Sequence, residues 1–467
     1  MQRARGRGVT KIPIDAVNRK LITRLARYGT PATIVIVLLA AFRLYTYTYF
    51  WLDDFGIVYG VRREGFWRLL WDVVNPVSLF FRPLGMLVYW IVFQIAGLNP
   101  VPYHLLSWML HAVNTALVFL LLRKAASSHY AAGLAVLFFA FRSNFGDIYY
   151  SFANIFQLLA FTLVLIGILL YIRFGYSRKE TLALTAVYLL AIRAEEQAVM
   201  LPILWFAYEW LIRRNVSWRR LLVRYSMFAL VMAWFALFKL TTMPDVDPTR
   251  PYYLDVSATT FGHGYGWYFN SLYQTDLHWG VWFTISILLA IAFGISRIRW
   301  GLFFLIFMYT TLLPYVFLVN HRFELYWYMP FVGAAGILAL GIAAVQQLLG
   351  KILPREAYAA VLSLVFTFIA VRNFRYEEHR GRIVREWTKG IADEYRDFMR
   401  DLRSLPDAAT VPTLYYTAVP RHMDEASVTN STQFALNRTD IDTKVVENCP
   451  AEGACVEFRD GHLRRLR

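Results

Sequence analysis

Two adjacent carboxylates, Asp53 and Asp54, follow directly on the first long apolar segment, within Tyr49-Phe50-Trp51-Leu52-Asp53-Asp54-Phe55. An ionised group is costly in hydrocarbon and cheap at its edge, so a paired acid beside an apolar span marks a candidate site. Other groups suited to acid–base or anion chemistry stand near the ends of later apolar segments: Arg82, His104, Asp147, Glu195-Glu196, Lys239 and His321-Arg322. Plainer roles compete for several of them. The acid pair would N-cap an interfacial helix over residues 55–59. Asp147 would cap the helix entering the span at 153, and Glu196 opens a helix ahead of Pro202, where an acid complements the dipole. His104 and His111 share one helical face, and His111 reads as an interior histidine.

Composition sets the elements that must position these groups. The chain has 467 residues, 58% hydrophobic and 17% charged, with a mean hydropathy of +0.41. A soluble protein carries about 25% charged residues. Apolar runs of about 20 residues recur between residues 31 and 373, each long enough to cross a ~30 Å hydrocarbon core. The reading is an all-α polytopic membrane protein, and the 17% aromatic content fits interfacial belts of Trp and Tyr. The net charge of +16 sits largely in short loops between spans, so it argues topology and not nucleic-acid binding. Residues 1–30 form a basic amphipathic lead-in without a small-residue cleavage site, expected on the cytoplasmic side.

The expected spans are 31–51, 104–122, 129–142, 153–172, 181–193, 197–212, 221–241, 278–295, 300–319, 326–349 and 357–372. Lys and Arg mark cytoplasmic loops. Arg123-Lys124, Arg178-Lys179, Arg213-Arg214, Arg219-Arg220, Arg297 with Arg299, and Lys351 with Arg355 all lie inside only if segment 80–98 does not cross. Pro76, Arg82, Pro83, Gly85, Gly97, Pro100 and Pro102 interrupt that region. It therefore reads as a juxtamembrane or re-entrant element in a long outer loop, residues 52–103. Eleven spans then leave the C-terminus outside; a crossing at 80–98 would make twelve. The outer face gathers Asp53-Asp54, Arg82, His104, Asp147, Glu195-Glu196 and the 321–324 loop.

Residues 374–467 read as a small extracytoplasmic α+β tail. Ile383, Trp387, Ile391, Tyr395, Phe398 and Leu402 recur at helical spacing and end before Pro406. Strand character follows over 410–419 and 444–457. Cys449 and Cys455, the only cysteines, are expected to pair in an oxidising compartment. Asn430 and Asn437 match the glycosylation sequon.

Ordered short motifs connect these parts. They are Asp53-Asp54, then Phe81-Arg82-Pro83-Leu84-Gly85, then Pro102-Tyr103-His104 running to His111. Arg142-Ser143-Asn144-Phe145-Gly146-Asp147, Glu195-Glu196-Gln197 with Pro202, and Glu324-Leu325-Tyr326-Trp327-Tyr328-Met329-Pro330 follow. In order and spacing, residues 30–335 resemble the membrane-embedded GT-C glycosyltransferases. The resemblance is nearest to the transmembrane, tetratricopeptide-containing O-mannosyltransferases, and more distant to the protein O-mannosyltransferases and lipid A aminoarabinose transferases. Departures stand at Ser107, Ser143-Asn144, Glu195 and Leu325, where that pattern has Asn, His-Pro, Lys and Arg, and no tetratricopeptide repeat follows.

The resemblance implies sugar transfer from a polyprenyl monophosphate donor to a hydroxyl on a glycan, lipid or protein acceptor. It implies Asp53 or Asp54 as the base, with Asp53 matching the leading acid. A hydroxyl nucleophile must lose a proton, which a positioned carboxylate takes; one displacement step gives inversion. The leaving phosphate needs cations or donors, for which Arg82, Arg322, His321 and Lys239 are candidates. His104, Asp147, Glu196, Tyr265 and Trp267 are expected near the acceptor or sugar. No divalent metal is obligatory for a monophosphate leaving group. The expected location is a bacterial inner membrane, with the endoplasmic reticulum as alternative. A transporter or flippase of a lipid-linked sugar is the competing function, although no internal repeat of the transporter kind stands out.

Overall fold

Several helices in this chain start where the sequence supplies a cap. In the computed structural model, the Asn99 side chain accepts the Val101 amide ahead of a helix whose first residue is Pro100. Ser128 caps the next helix, and Ser177 with Glu180 forms a full capping box. The structure describes residues 49–50, 53–75, 82–142, 152–214, 217–242, 247–250, 252–405, 408, 410–438 and 440–466. The expectations placed on residues 1–48, on Asp147 and on the Lys239 side chain fall outside that part.

The described residues of the 52–103 segment form three helices before the first long one: α1 (Asp53–Glu64), α2 (Phe66–Val74) and α3 (Pro83–Ala96). The long helices follow as α4 (Pro100–Ala126), α5 (His129–Ala140), α6 (Ile155–Arg173), α7 (Arg178–Ala194) and α8 (Leu201–Tyr208). After these come α9 (Trp218–Thr242), α10 (Ala258–Tyr273), α11 (Trp279–Gly294), α12 (Ile298–Val316), α13 (Phe331–Ile352) and α14 (Arg355–Ser404). Five stretches among the described residues are long and apolar enough to cross a membrane: Pro100–Ala126, Phe152–Arg173, Trp218–Leu237, Trp279–Val316 and Phe331–Ile352. With 14 residues, α3 is about 21 Å long, shorter than the ~30 Å core. Helix α2 buries Leu69 and Asp72 and exposes Trp67 and Trp71, as an interfacial helix does.

Helix α14 runs unbroken across residues 373–374, the expected boundary between bundle and tail. Its last turns carry Ile391, Tyr395, Phe398 and Leu402 into a core shared with strands β1 (Thr413–Ala418), β2 (Asp442–Val445), β3 (Ala454–Arg459) and β4 (His462–Arg465). The sheet order is β2-β1-β3-β4, with β1 parallel to both neighbours and β4 antiparallel to β3. A parallel pair needs a crossover, which α15 (Glu425–Leu436) supplies between β1 and β2. Cys449 and Cys455 are joined by a disulfide ahead of and within β3, with Cα atoms 5.8 Å apart.

This small α+β cap is docked on the 52–103 segment through α1. Phe55 stacks on Tyr395 with ring centroids 5.2 Å apart, Arg62 lies over Phe434, and its guanidinium donates to the Asn437 side chain. Gly56 approaches Asn430 where a larger residue would crowd it. Phe55, Val58 and Val61 of α1 thus join the core residues of the cap in one continuous apolar cluster.

Candidate active site

Between one end of the bundle and the cap lies a cavity of about 620 Å³. Asp53 from α1, Arg82 ahead of α3, Glu195 after α7 and His321 after α12 line it from the bundle side. Trp387 of α14 and Asp424 at the start of α15 line it from the cap side.

The two aspartates occupy different environments. Asp53 opens to the cavity, whereas Asp54 is fully buried and accepts the Ala153 amide at 2.9 Å. Asp54 thereby ties α1 to the short 3-10 turn Phe152–Asn154 that opens α6. Both acids lie in the first turn of α1, where they complement its dipole, so the capping role expected for the pair coexists with the division of labour. The surrounding protein raises the Asp53 carboxyl above its ordinary range, the Asp424 charge adds to this, and Arg82 opposes it.

Arg82 anchors the opposite wall. Its Nη2 lies 2.8 Å from both Glu195 Oε1 and Glu196 Oε2, and its Nε donates to Glu196 Oε2 at 2.9 Å. The guanidinium also sits over the Phe156 ring, 5.7 Å from its centroid. Arg82 has φ 46° and ψ 55°, a left-handed conformation costing a non-glycine residue roughly 1–2 kcal/mol. Pro83, which follows it, disfavours the right-handed helical alternative. Two carboxylates hold the strained residue in place. Burial pushes the Glu195 carboxyl up, Arg82 opposes the rise, and the Glu195 oxygen accepts the Tyr315 hydroxyl at 3.0 Å. Arg82 keeps its charge, since its two acidic neighbours outweigh burial.

His321 rests against Tyr252, with ring centroids 4.5 Å apart. Burial, and then the Arg82 charge, push it below the usual imidazole range, so at neutral pH it faces the cavity as an uncharged ring. Arg322, the next residue, turns away from the cavity lining; its Nε is buried and lacks a hydrogen-bond partner among the described residues. Glu196 reaches the site through its ion pair with Arg82.

Three residues expected at the acceptor or sugar do not line the cavity. His104 is fully buried, its ring 4.4 Å from that of Phe152, because the helical face it shares with His111 packs inward. Tyr265 is buried and donates to the Tyr309 carbonyl at 2.7 Å, and Trp267 is half-buried against the bundle core. The aromatic content of α10 serves packing against α12, and Gly264 brings the two backbones together, since a Cβ there would fall 2.3 Å from the Val316 carbonyl oxygen.

Sequence reasoning missed Gln157, Asp424 and the site role of Trp387. Asp424 has a legible local signal, since its side chain accepts the Ser427 amide at 2.8 Å as an N-cap. Nothing local tells that this cap faces Asp53. Trp387 was legible as part of a helical stripe, which predicts burial, yet it is 54% exposed. Asn437 of the second sequon is engaged by Arg62 and ends α15, and Asn430 of the first lines the cavity.

No protein-family model matches the chain, and no curated protein matches it. Solved structures do. The crystal structure of ArnT from Cupriavidus metallidurans in the apo state matches with a TM-score of 0.53 and 16% identity, covering 90% of this chain and 86% of that one. The same protein bound to undecaprenyl phosphate matches with a TM-score of 0.52 and 16% identity, over 89% and 86% of the two chains. ArnT is a lipid A aminoarabinose transferase of the GT-C fold. This chain is a helical membrane protein that shares that fold.

Proposed function

We propose that this chain transfers a glycosyl group from a polyprenyl monophosphate carrier to an acceptor hydroxyl at the outer face of the membrane, with Asp53 as general base. The observation that carries the reading is a single cavity between bundle and cap, into which Asp53, Arg82 and His321 all project. The fold shared with ArnT, which was crystallised with undecaprenyl phosphate, supports a lipid carrier as the donor's leaving group.

In the proposed step, the acceptor oxygen attacks the anomeric carbon and its proton passes to the Asp53 carboxylate. The bond from the anomeric carbon to the phosphate oxygen breaks, and its electron pair leaves with the polyprenyl phosphate. One displacement inverts the anomeric centre. A carboxyl raised by its surroundings and by Asp424 is, once ionised, a stronger base than an ordinary aspartate. Arg82 supplies positive charge for the departing phosphate, and neutral His321 supplies a donor. Lys239 stands as a further cation for that role. The charge to be neutralised is that of one phosphate, so transfer is expected to persist in a chelator.

The eleven-span topology with the C-terminal cap outside a bacterial inner membrane completes the proposal. It fits a cystine in an oxidising compartment. Cysteines introduced at residues 98–100 test it: labelling only from the cytoplasmic side would exclude this topology. The activity itself is tested with a radiolabelled polyprenyl-phosphate sugar and purified full-length chain in nanodiscs containing envelope extract as acceptor. Transfer of label with inverted anomeric configuration is expected. Movement of intact lipid-linked sugar between leaflets without transfer would replace this reading with the flippase.

A further inference from the structure

The apolar stripe of α14 changes environment abruptly. Ile391, Tyr395, Phe398 and Leu402 are 3% exposed or less, each packed in the cap core. One turn earlier on the same face, Trp387 is 54% exposed. Its indole meets the His422 ring of the cap edge-on, with centroids 6.3 Å apart, and more than half of this large aromatic stays open at a core-stripe position.

Trp387 does not face open solvent alone. It lines the cavity, and beside it the cap presents Asp424, Ser427 and Asn430. A flat apolar ring bordered by a carboxylate, a hydroxyl and an amide is the complement of a pyranose, whose C–H face is apolar and whose rim carries hydroxyls. A protein core would demand partners for those polar groups, and a peptide side chain would not use both features at once.

Nor does the position suit a membrane anchor. The apolar stretch of α14 ends at Val371, and Trp387 lies about 24 Å further along the helix axis. The headgroup layer on one side of a bilayer is only roughly 5–8 Å thick. A Trp in an interfacial belt would sit within the first turns after the apolar stretch.

We infer that Trp387, with Asp424, Ser427 and Asn430, forms a carbohydrate-acceptor subsite on the cap, where a pyranose ring stacks on the indole and presents a hydroxyl to Asp53. The inference rests on the transfer reading and narrows its acceptor to a glycan. A polyprenyl carrier must keep its chain in the bilayer, so the donor enters from the bundle side. The cap side is left to a water-soluble or headgroup-borne glycan. Asp53 lies across the same cavity, which gives the stacked sugar access to the base.

The test uses the full chain in nanodiscs with 5-fluorotryptophan, the Trp387 resonance being assigned from Trp387→Phe. Methyl hexopyranosides and maltooligosaccharides are the probes. A saturable shift of the Trp387 resonance is expected, weakened about ten-fold when Asn430→Ala removes a rim partner. Trp387→Ala should raise the acceptor KM by a similar factor, and Trp387→Phe, which keeps a ring to stack on, should recover most of that loss. The remaining fluorotryptophan signals report whether either variant has disturbed the fold. Absence of a shift with every saccharide, or an unchanged acceptor KM in Trp387→Ala, overturns the subsite. Trp387 shielded from an aqueous quencher by the bilayer overturns it in favour of a membrane contact. Asp53→Asn separates the two claims: it should lower transfer by roughly 10²–10⁴-fold and keep the saccharide shift. Transfer undiminished in Asp53→Asn would instead refute the base assignment and leave the subsite standing.

Discussion

Asp53 and Asp54 are neighbours in the chain and opposites in environment: one carboxylate opens into the cavity, and the next is buried with the Ala153 amide bonded to it. Successive residues at a helix start point in different directions, so the pair divides into a chemical and a structural member. Asp53→Asn should lower transfer by roughly 10²–10⁴-fold with little change in thermal unfolding, because a positioned base contributes on that scale. Asp54→Ala should leave a buried amide unpaired and cost about 1–3 kcal/mol of stability. Transfer rates and melting curves on both variants check the division, and a reversed pattern would overturn it.

The pH profile offers a second check. Burial and Asp424 both hold the Asp53 carboxyl above its usual range. The base must be ionised, so the acidic limb of the rate profile is expected above the ordinary aspartate value. Asp424→Asn removes one negative charge while keeping an N-cap residue of equal quality. Asp53 then ionises more easily, and the acidic limb should move to lower pH. Arg82 acts in the opposite sense, so Arg82→Gln should move whatever limb remains upward. An acidic limb unmoved by Asp424→Asn would show that Asp53 does not set it.

Much of the helical bundle was legible because apolar runs obey local rules. The acid pair, the Arg82-Pro83 turn and the paired glutamates were all visible as residue types beside spans. Their pairing was not. Arg82 and Glu196 are 114 positions apart, and their ion pair exists only because the α7–α8 junction meets the start of α3. The cap's contribution was hidden for the same reason: nothing around Asp424 records that α15 will lie against α1. His104, Tyr265 and Trp267 illustrate the opposite error, since histidines and aromatics at helical spacing are used here to fill the core.

The Arg82 cluster should dominate the stability of the site. Arg82→Gln leaves Glu195 buried without its cation, and the expected cost is about 3–5 kcal/mol. Adding Glu195→Gln should recover much of that loss. The pH dependence has a definite sign. The Glu195 carboxyl is raised in the folded chain, so the native state binds the extra proton, and its contribution to stability falls as pH rises above the ordinary carboxylate range. Without Arg82, which lowers that value, the loss should extend to still higher pH. Unfolding midpoints measured from acid to mildly alkaline pH in the single and double variants check this.

Gly85 tests whether the wall behind Arg82 is positional. A Cβ at this residue would sit 1.9 Å from Cδ1 of Phe156, so the phenyl ring must move for any larger side chain. Phe156 lines the cavity and supports the Arg82 guanidinium. Alanine would otherwise favour the helix over glycine, by roughly 0.5–1 kcal/mol, so propensity alone predicts that Gly85→Ala stabilises α3. Overpacking works against this at about 1–3 kcal/mol and should win. The expected result is a lower melting temperature with transfer reduced by more than the folded fraction accounts for. Phe156→Leu in the Gly85→Ala background removes the clashing ring edge and should restore stability without restoring full transfer, since the ring beneath Arg82 is then absent. Recovery of both together would show that Phe156 only fills space.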